Sequence, residues 1–310
     1  MEVNLYFWIL FNAFVLLLLG LDLFVFHRKA HEVKIGEAIL WSCFWIALSL
    51  SFNALIWLYM GSGPGIEFLT AYLIEKSLSV DNLFVFLMIF SYFRVPLQYQ
   101  HKILFWGVLG ALVFRAIFIL AGVALLQKFH FVSYLLGGFL VFTGFKMFFT
   151  QQQEIDPEAN PVVRVISKFI PVTSTFIGDK LFVRKDKTLF ATPLFLVLIM
   201  VETTDIVFAV DSIPAILAVS HDSFIVYTSN VFALLGLRAL YFALAGIMKL
   251  FHYLHYGLSL ILIFIGVKLL TAGFLHIDMR YALIVIAFIL MLSVLLSVLF
   301  PVKKNEEHLH

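Results

Sequence analysis

Nine apolar runs, near residues 5–26, 38–60, 67–92, 103–126, 131–149, 191–219, 226–248, 253–274 and 280–300, take up most of this 310-residue chain. A helix that crosses a bilayer needs roughly 20 such residues. With 63% of residues hydrophobic and 13% charged, too little polar surface remains to cover a water-soluble globule. The expected fold is therefore an all-α polytopic membrane protein of about nine transmembrane helices. The first run has no basic segment ahead of it and no small-residue cleavage pattern after it, so it reads as a retained helix. A single cysteine, Cys43, excludes a disulfide framework or thiolate cluster within one chain.

Basic residues orient the helices, because cytoplasmic loops of membrane proteins collect Lys and Arg. With the N-terminus outside, the inner connections hold Arg28, Lys29, Lys34, Arg94, Lys102, Arg164, Lys168, Lys180, Arg184, Lys185, Lys187, Lys249, Lys303 and Lys304. The outer side then holds Lys128 and Arg280. Nine spans with that start put the C-terminus in the cytoplasm. The long polar insert 151–190 faces the same side, and its stretch 162–170, between Pro161 and Pro171, reads as a short interfacial amphipathic segment.

The chain repeats itself. GALVFRAIFILAG (110–122) resembles ALLGLRALYFALAG (233–246), and FTGFKMFF (142–149) resembles FIGVKLLT (264–271). Ahead of each arginine run lies an acidic one, EKSLSVDN (75–82) and DIVFAVDS (205–212), in which an acid is followed after five residues by Asp and a small polar residue. A unit of three spans is odd, so consecutive copies point in opposite directions, as in the inverted repeats of many transporters. This divides the chain into peripheral helices (1–66), repeat 1 (67–150), the cytoplasmic insert (151–190), repeat 2 (191–275), and a last helix with its tail (276–310). Among the peripheral runs the notable polar residues are Asp22 and Asn53.

Glu75, Asp81, Glu202, Asp205 and Asp211 all fall inside predicted spans, where each ionised group costs at least about 2.5–3.5 kcal/mol. Arg115 and Arg238 match each other across the repeats and offer charge balance. One reading is a set of structural ion pairs, and the other is a cation site. On a helix, Glu202 and Asp205 lie about 60° apart, and Asp211 lies nearly opposite Glu202. A straight helix does not aim all three at one ion. Pro214 removes a donor and collides with the carbonyl of Val210, so an unwound turn near 205–213 is expected. Helix 3 lacks a proline, and there Ser77 and Ser79 compete locally for the backbone. Carboxylates, the Asn82 amide and a freed carbonyl are hard oxygen donors suited to Mn²⁺, Mg²⁺ or Ca²⁺. Copper, zinc or nickel would call for Cys, His or Met. His252 and His255, three residues apart, read as an interfacial helix end, EEHLH (306–310) as a solvated terminus, and Lys146 and Lys268 as snorkelling cations.

The blocks EKSLSVDNLFVF (75–86), VETTDIVFAVDSIPAI (201–216) and TSNVFALLGLRALYF (228–242), with AYLIEK (71–76), FSYF (90–93), FVRK (182–185) and ATPL (191–194), resemble the signature blocks of the TerC family, its Alx-like bacterial branch above all. The resemblance runs from the second run to the eighth. It implies a bacterial inner-membrane protein of the LysE transporter superfamily, associated with manganese efflux and with tellurite-resistance naming. It also carries the family's metal-site acids onto Glu75, Asp81, Glu202, Asp205 and Asp211, with Asn82 beside them. The expectation is a transporter exporting Mn²⁺ through a midplane site, with exchange for protons as one option. Its partners are the transported divalent ion and the lipid bilayer, with no nucleic acid and no resident cofactor. The alternative is a membrane-protein assembly or insertion factor. An intramembrane enzyme is disfavoured, because the chain has no GxGD, HExxH or nucleophile arrangement at matched depth.

Overall fold

Backbone inside a bilayer has to satisfy its own hydrogen bonds, which apolar runs of this length do as helices. A computed structural model describes residues 5–21, 35–129, 131–149, 170–173, 175–185, 188–247, 253–272, 274 and 277–299. Its helices are α1 (Leu5–Leu21), α2 (Ile35–Met60), α3 (Ser62–Tyr92), α4 (Leu97–Lys128), α5 (Phe131–Phe149), α6 (Pro193–Leu217), α7 (Ser223–Leu234), α8 (Leu237–Ile247), α9 (Leu254–Thr271) and α10 (Met279–Leu299).

The protein is predominantly helical and membrane-integral. Among the described residues, six helices are long and apolar enough to cross a bilayer, or seven if α7 and α8, bent by 41° at their junction, form one span. The nine runs exceed this for two reasons. Only 17 residues of the first run are described as helix. Helix α3, 31 residues long, carries Glu67, Glu75, Lys76 and Asp81 with Ser, Thr and Asn residues among its apolar ones.

Part of the insert is not helical. Strands β1 (Phe182–Lys185) and β2 (Thr188–Ala191) form an antiparallel hairpin, a departure from the all-α expectation. The hairpin is tied to the start of α6, where Thr192 donates its backbone N–H to Leu181 and its hydroxyl to Lys180, and where Phe182 packs on Phe195. Lys102, on α4, donates to Asp179, and that hydrogen bond holds the Asp179 carboxyl below its ordinary range. The amphipathic stretch 162–170 falls almost wholly outside the described residues.

The unwound turn expected near 205–213 is absent, since α6 is helical from Pro193 to Leu217 with Pro214 inside it. Pro214 stands three residues from the helix end, so the single bond it removes falls in the last turns and the helix absorbs it. The discontinuity lies instead at Leu235–Gly236. There Gly236 takes a φ of +80°, a left-handed conformation that favours glycine. The central element is α7: every residue from Phe224 to Leu234 is buried, and Asp222 caps it by accepting from the N–H of Phe224 and Ile225.

Two helix pairs are brought close by glycine. Along α4 and α6, which run parallel, Gly107 meets Val201, Gly110 meets Glu202 and Gly122 meets Leu217. Helices α5 and α9 are antiparallel, and their contact is reciprocal. A Cβ on Gly144 would stand 2.9 Å from the carbonyl oxygen of Ser259, seven residues before Gly266, and a Cβ on Gly266 would stand 2.8 Å from that of Gly137, seven residues before Gly144. Small residues let backbones approach in lipid, where no hydrophobic force drives helices together. Gly266→Val is therefore expected to destabilise the protein by about 1–3 kcal/mol, read as a lower melting temperature in detergent. Gly138→Val, whose Cβ meets nothing within 4 Å, serves as the control.

Candidate functional site

Helix α4 turns one stripe inward, Ile103, Gly107, Ala111, Arg115, Ile119 and Val123 among its members, while Val113, Phe114, Ile117 and Phe118 face outward. Its spacing of three and four residues is that of one helix face. The stripe carries Arg115 into the interior, where it is 1% exposed. An isolated guanidinium there is strongly disfavoured, and the neighbouring helices compensate it. Arg115 donates through Nε to Asp205 Oδ2 at 3.2 Å and through Nη2 to Asp205 Oδ1 at 3.1 Å, a two-pronged grip on α6. Through Nη1 it pairs with Glu75 on α3 and reaches Ser212 Oγ at 3.4 Å. Glu75 and Asp205, 0% and 4% exposed, are the acids that open the two matching acidic blocks. One cation thus holds the first carboxylates of both acidic blocks.

The trio is not electrically closed. Two carboxylates against one guanidinium leave a formal charge of −1. Glu75 Oε2 is also buried without a hydrogen-bond partner. Glu202 Oε2 is buried and unpartnered as well. Its carboxylate is seated against Gly110, and only the absence of a side chain at that position lets it lie on the α4 backbone. These open oxygens are hard donors that a divalent cation could take. Among the described residues, however, no three His, Cys, Asp or Glu side chains gather as a metal-holding group, and the Arg115 guanidinium bridges Glu75 and Asp205 where an ion between them would sit.

Of the other expected site residues, Asn82 is buried on α3 two turns beyond Glu75. The side chains of Asp81 and Asp211 lie outside the described part, as do Asp22, His252 and the tail 306–310. Arg238 does not join Arg115. It stands at the start of α8, with Nη2 3.5 Å from His101 Nδ1 on α4. His255 bonds to the carbonyl of Met147, joining α9 to the end of α5. Sequence reasoning missed three features: the seat at Gly110, the break at Gly236, and Lys76, which donates to carbonyls at that break. For the break a signal was present, Gly236 near the middle of the run 226–248 and two residues ahead of Arg238.

No solved structure matches the chain. A membrane protein of Myxococcus xanthus described as uncharacterised is 50% identical over 292 residues, covering 94% of this chain and 92% of the relative. The Escherichia coli (strain K12) protein Alx, whose provisional description is membrane-bound redox modulator, is 47% identical over 296 residues, or 93% and 92% of the two chains. A further uncharacterised membrane protein, from Rickettsia bellii (strain RML369-C), is 42% identical over 298 residues, 96% of this chain and 98% of its own. Residues 60–306 match the integral membrane protein TerC family, and the chain belongs to that family.

Proposed function

We propose that the chain is a secondary transporter of hard divalent cations, exporting Mn²⁺ from the cytoplasm across a bacterial inner membrane, and not an enzyme. The observation that carries this reading is the grip of Arg115 on Glu75 and Asp205. It joins two helices at buried carboxylates, leaves carboxylate oxygens open, and puts a removable positive charge where an ion would sit.

The cycle follows from charge. A divalent cation entering between the carboxylates repels the guanidinium and replaces it, recruiting Glu202 and, in this reading, Asp81, Asn82 and Asp211. When the ion leaves, Arg115 or protons neutralise the acids again, which makes exchange of metal for protons a natural coupling. Alternating access needs two halves that rock about a shared site. Nine spans with the N-terminus outside, arranged as inverted repeats of α3–α5 and α6–α9 plus peripheral helices, supply them. The reciprocal glycine contact of α5 with α9 supports this, because a two-fold axis between antiparallel helices exchanges Gly144 with Gly266 and Gly137 with Ser259. A dithiol redox activity within one chain would need a second cysteine beside Cys43.

The test is cellular manganese in cells stressed with the metal and producing wild type, Asp205→Asn or Glu202→Gln at equal abundance. The variants are expected to retain manganese at the level of cells lacking the protein, a loss of efflux of at least about tenfold if one ligand contributes about 1.4 kcal/mol to the transported state. Wild-type efflux from both variants would sink the export reading and favour the assembly-factor alternative, which tolerates neutral side chains at these positions.

A further inference from the structure

A helix that ends within apolar surroundings leaves carbonyl oxygens without N–H partners and a partial negative charge on its last turn. Helix α7 ends in this way. Its last residues, Ala233 and Leu234, and the Leu235 that follows are at most 1% exposed. Gly236 then turns the chain, with φ +80°, and α8 departs at 41°. Some of the local backbone bonding survives, since Leu235 N–H donates to Val231 and Leu240 N–H to Gly236. The carbonyls of Ala233 and Leu235 instead accept from the ammonium group of Lys76, at 3.1 and 3.5 Å, from across the α3–α7 contact. Trp45 of α2 packs on the turn itself, so tightly that a Cβ on Gly236 would lie 2.6 Å from its ring. Three residues before Ala233, on the same helix face, Asn230 is 1% exposed and neither polar atom of its side chain has a partner.

We infer that the break between α7 and α8 is a monovalent-cation site, built from the Ala233 and Leu235 carbonyls one turn beyond the buried Asn230 and filled by the chain's own Lys76. Carbonyl oxygens grouped at an interrupted helix are the usual way a protein replaces the hydration shell of an alkali cation, and an ammonium group is a compact single charge with three donors that suits the same oxygens. Lys76 follows Glu75 directly in the sequence. One turn of α3 therefore fixes both the carboxylate held by Arg115 and the cation that stabilises the broken span. A tethered cation keeps the break closed whatever the sodium or potassium concentration.

The site is testable without any transport measurement. Wild type, Lys76→Ala and Lys76→Met are purified in detergent with a chelator, and their melting temperatures are compared in choline, sodium, potassium and methylammonium chloride at one ionic strength. Choline is too bulky to enter. Wild type is expected to melt alike in all four salts. Lys76→Ala is expected to melt about 5 °C lower in choline and to recover, saturably, in at least one of the smaller cations. Lys76→Met fills the space with an uncharged chain and is expected to be low in every salt. If Lys76→Ala does not accumulate, its level in membranes of cells grown with and without methylammonium replaces the melting comparison, with restoration expected. The inference is overturned if Lys76→Ala matches wild type in choline, if no small cation restores it, or if wild type responds to the same cations equally.

Discussion

Removing the Arg115 guanidinium, as in Arg115→Ala, is expected to cost about 3–5 kcal/mol, because it strands two buried carboxylates without a counter-charge. The measurement is the melting temperature of the detergent-purified protein together with its steady-state amount in membranes. Three further variants separate causes. Arg115→Lys keeps the charge but loses the two-pronged geometry at Asp205, so it should be intermediate. Glu75→Gln with Asp205→Asn and Arg115→Met removes all three charges together and should recover much of the stability while abolishing transport, since a buried ionic set replaced whole by neutral groups is often no less stable. An Arg115→Ala protein as stable as wild type would mean that the acids find compensation elsewhere, and the grip would lose its meaning.

A second large effect is expected at a residue with no chemistry of its own. In Gly110→Ala the new methyl group would overlap the Glu202 carboxylate, closer than the 3.0 Å that real contacts respect. Either Glu202 leaves its seat or α4 and α6 part. Efflux should fall to that of Glu202→Gln, while stability falls by only about 1–3 kcal/mol. The double variant Gly110→Ala with Glu202→Ala relieves the overlap and should regain stability but not efflux. If the double variant stays as unstable as Gly110→Ala, the damage lies in helix packing and not in the position of the carboxylate.

Spans, acids and arginines were legible because a bilayer makes their signals loud. A run of about 20 apolar residues has few other fates, and a charge within one has to be compensated. That Glu75 and Asp205, out of five candidate acids, meet at Arg115 was not legible, although the matching acidic blocks and the arginine runs after them put all three among the candidates. What stayed hidden depends on three-dimensional packing. Pro214 looked like the helix breaker, yet so near the end of α6 it removes one bond and no more, whereas Gly236 breaks its span with Trp45 packed against it and Lys76 donating to the freed carbonyls. Gly110 gave no signal at all in one dimension, since its value lies in what a neighbouring helix places against it. The hairpin after residue 181 was masked by the charges that made the insert read only as a polar connection.

The contact of Trp45 with Gly236 also sets who feels a movement of the broken span. Any swing of α8 about that glycine pushes the indole aside or opens a void beside it, so α2 acts as a brake on the joint. Leu55, Trp57, Leu58 and Tyr59 lie exposed on the outward surface of the same helix, the surface that a bilayer would cover. A force that bilayer thickness exerts on α2 would then be felt at the joint through Trp45, which would make the surrounding membrane a mechanical component of the protein.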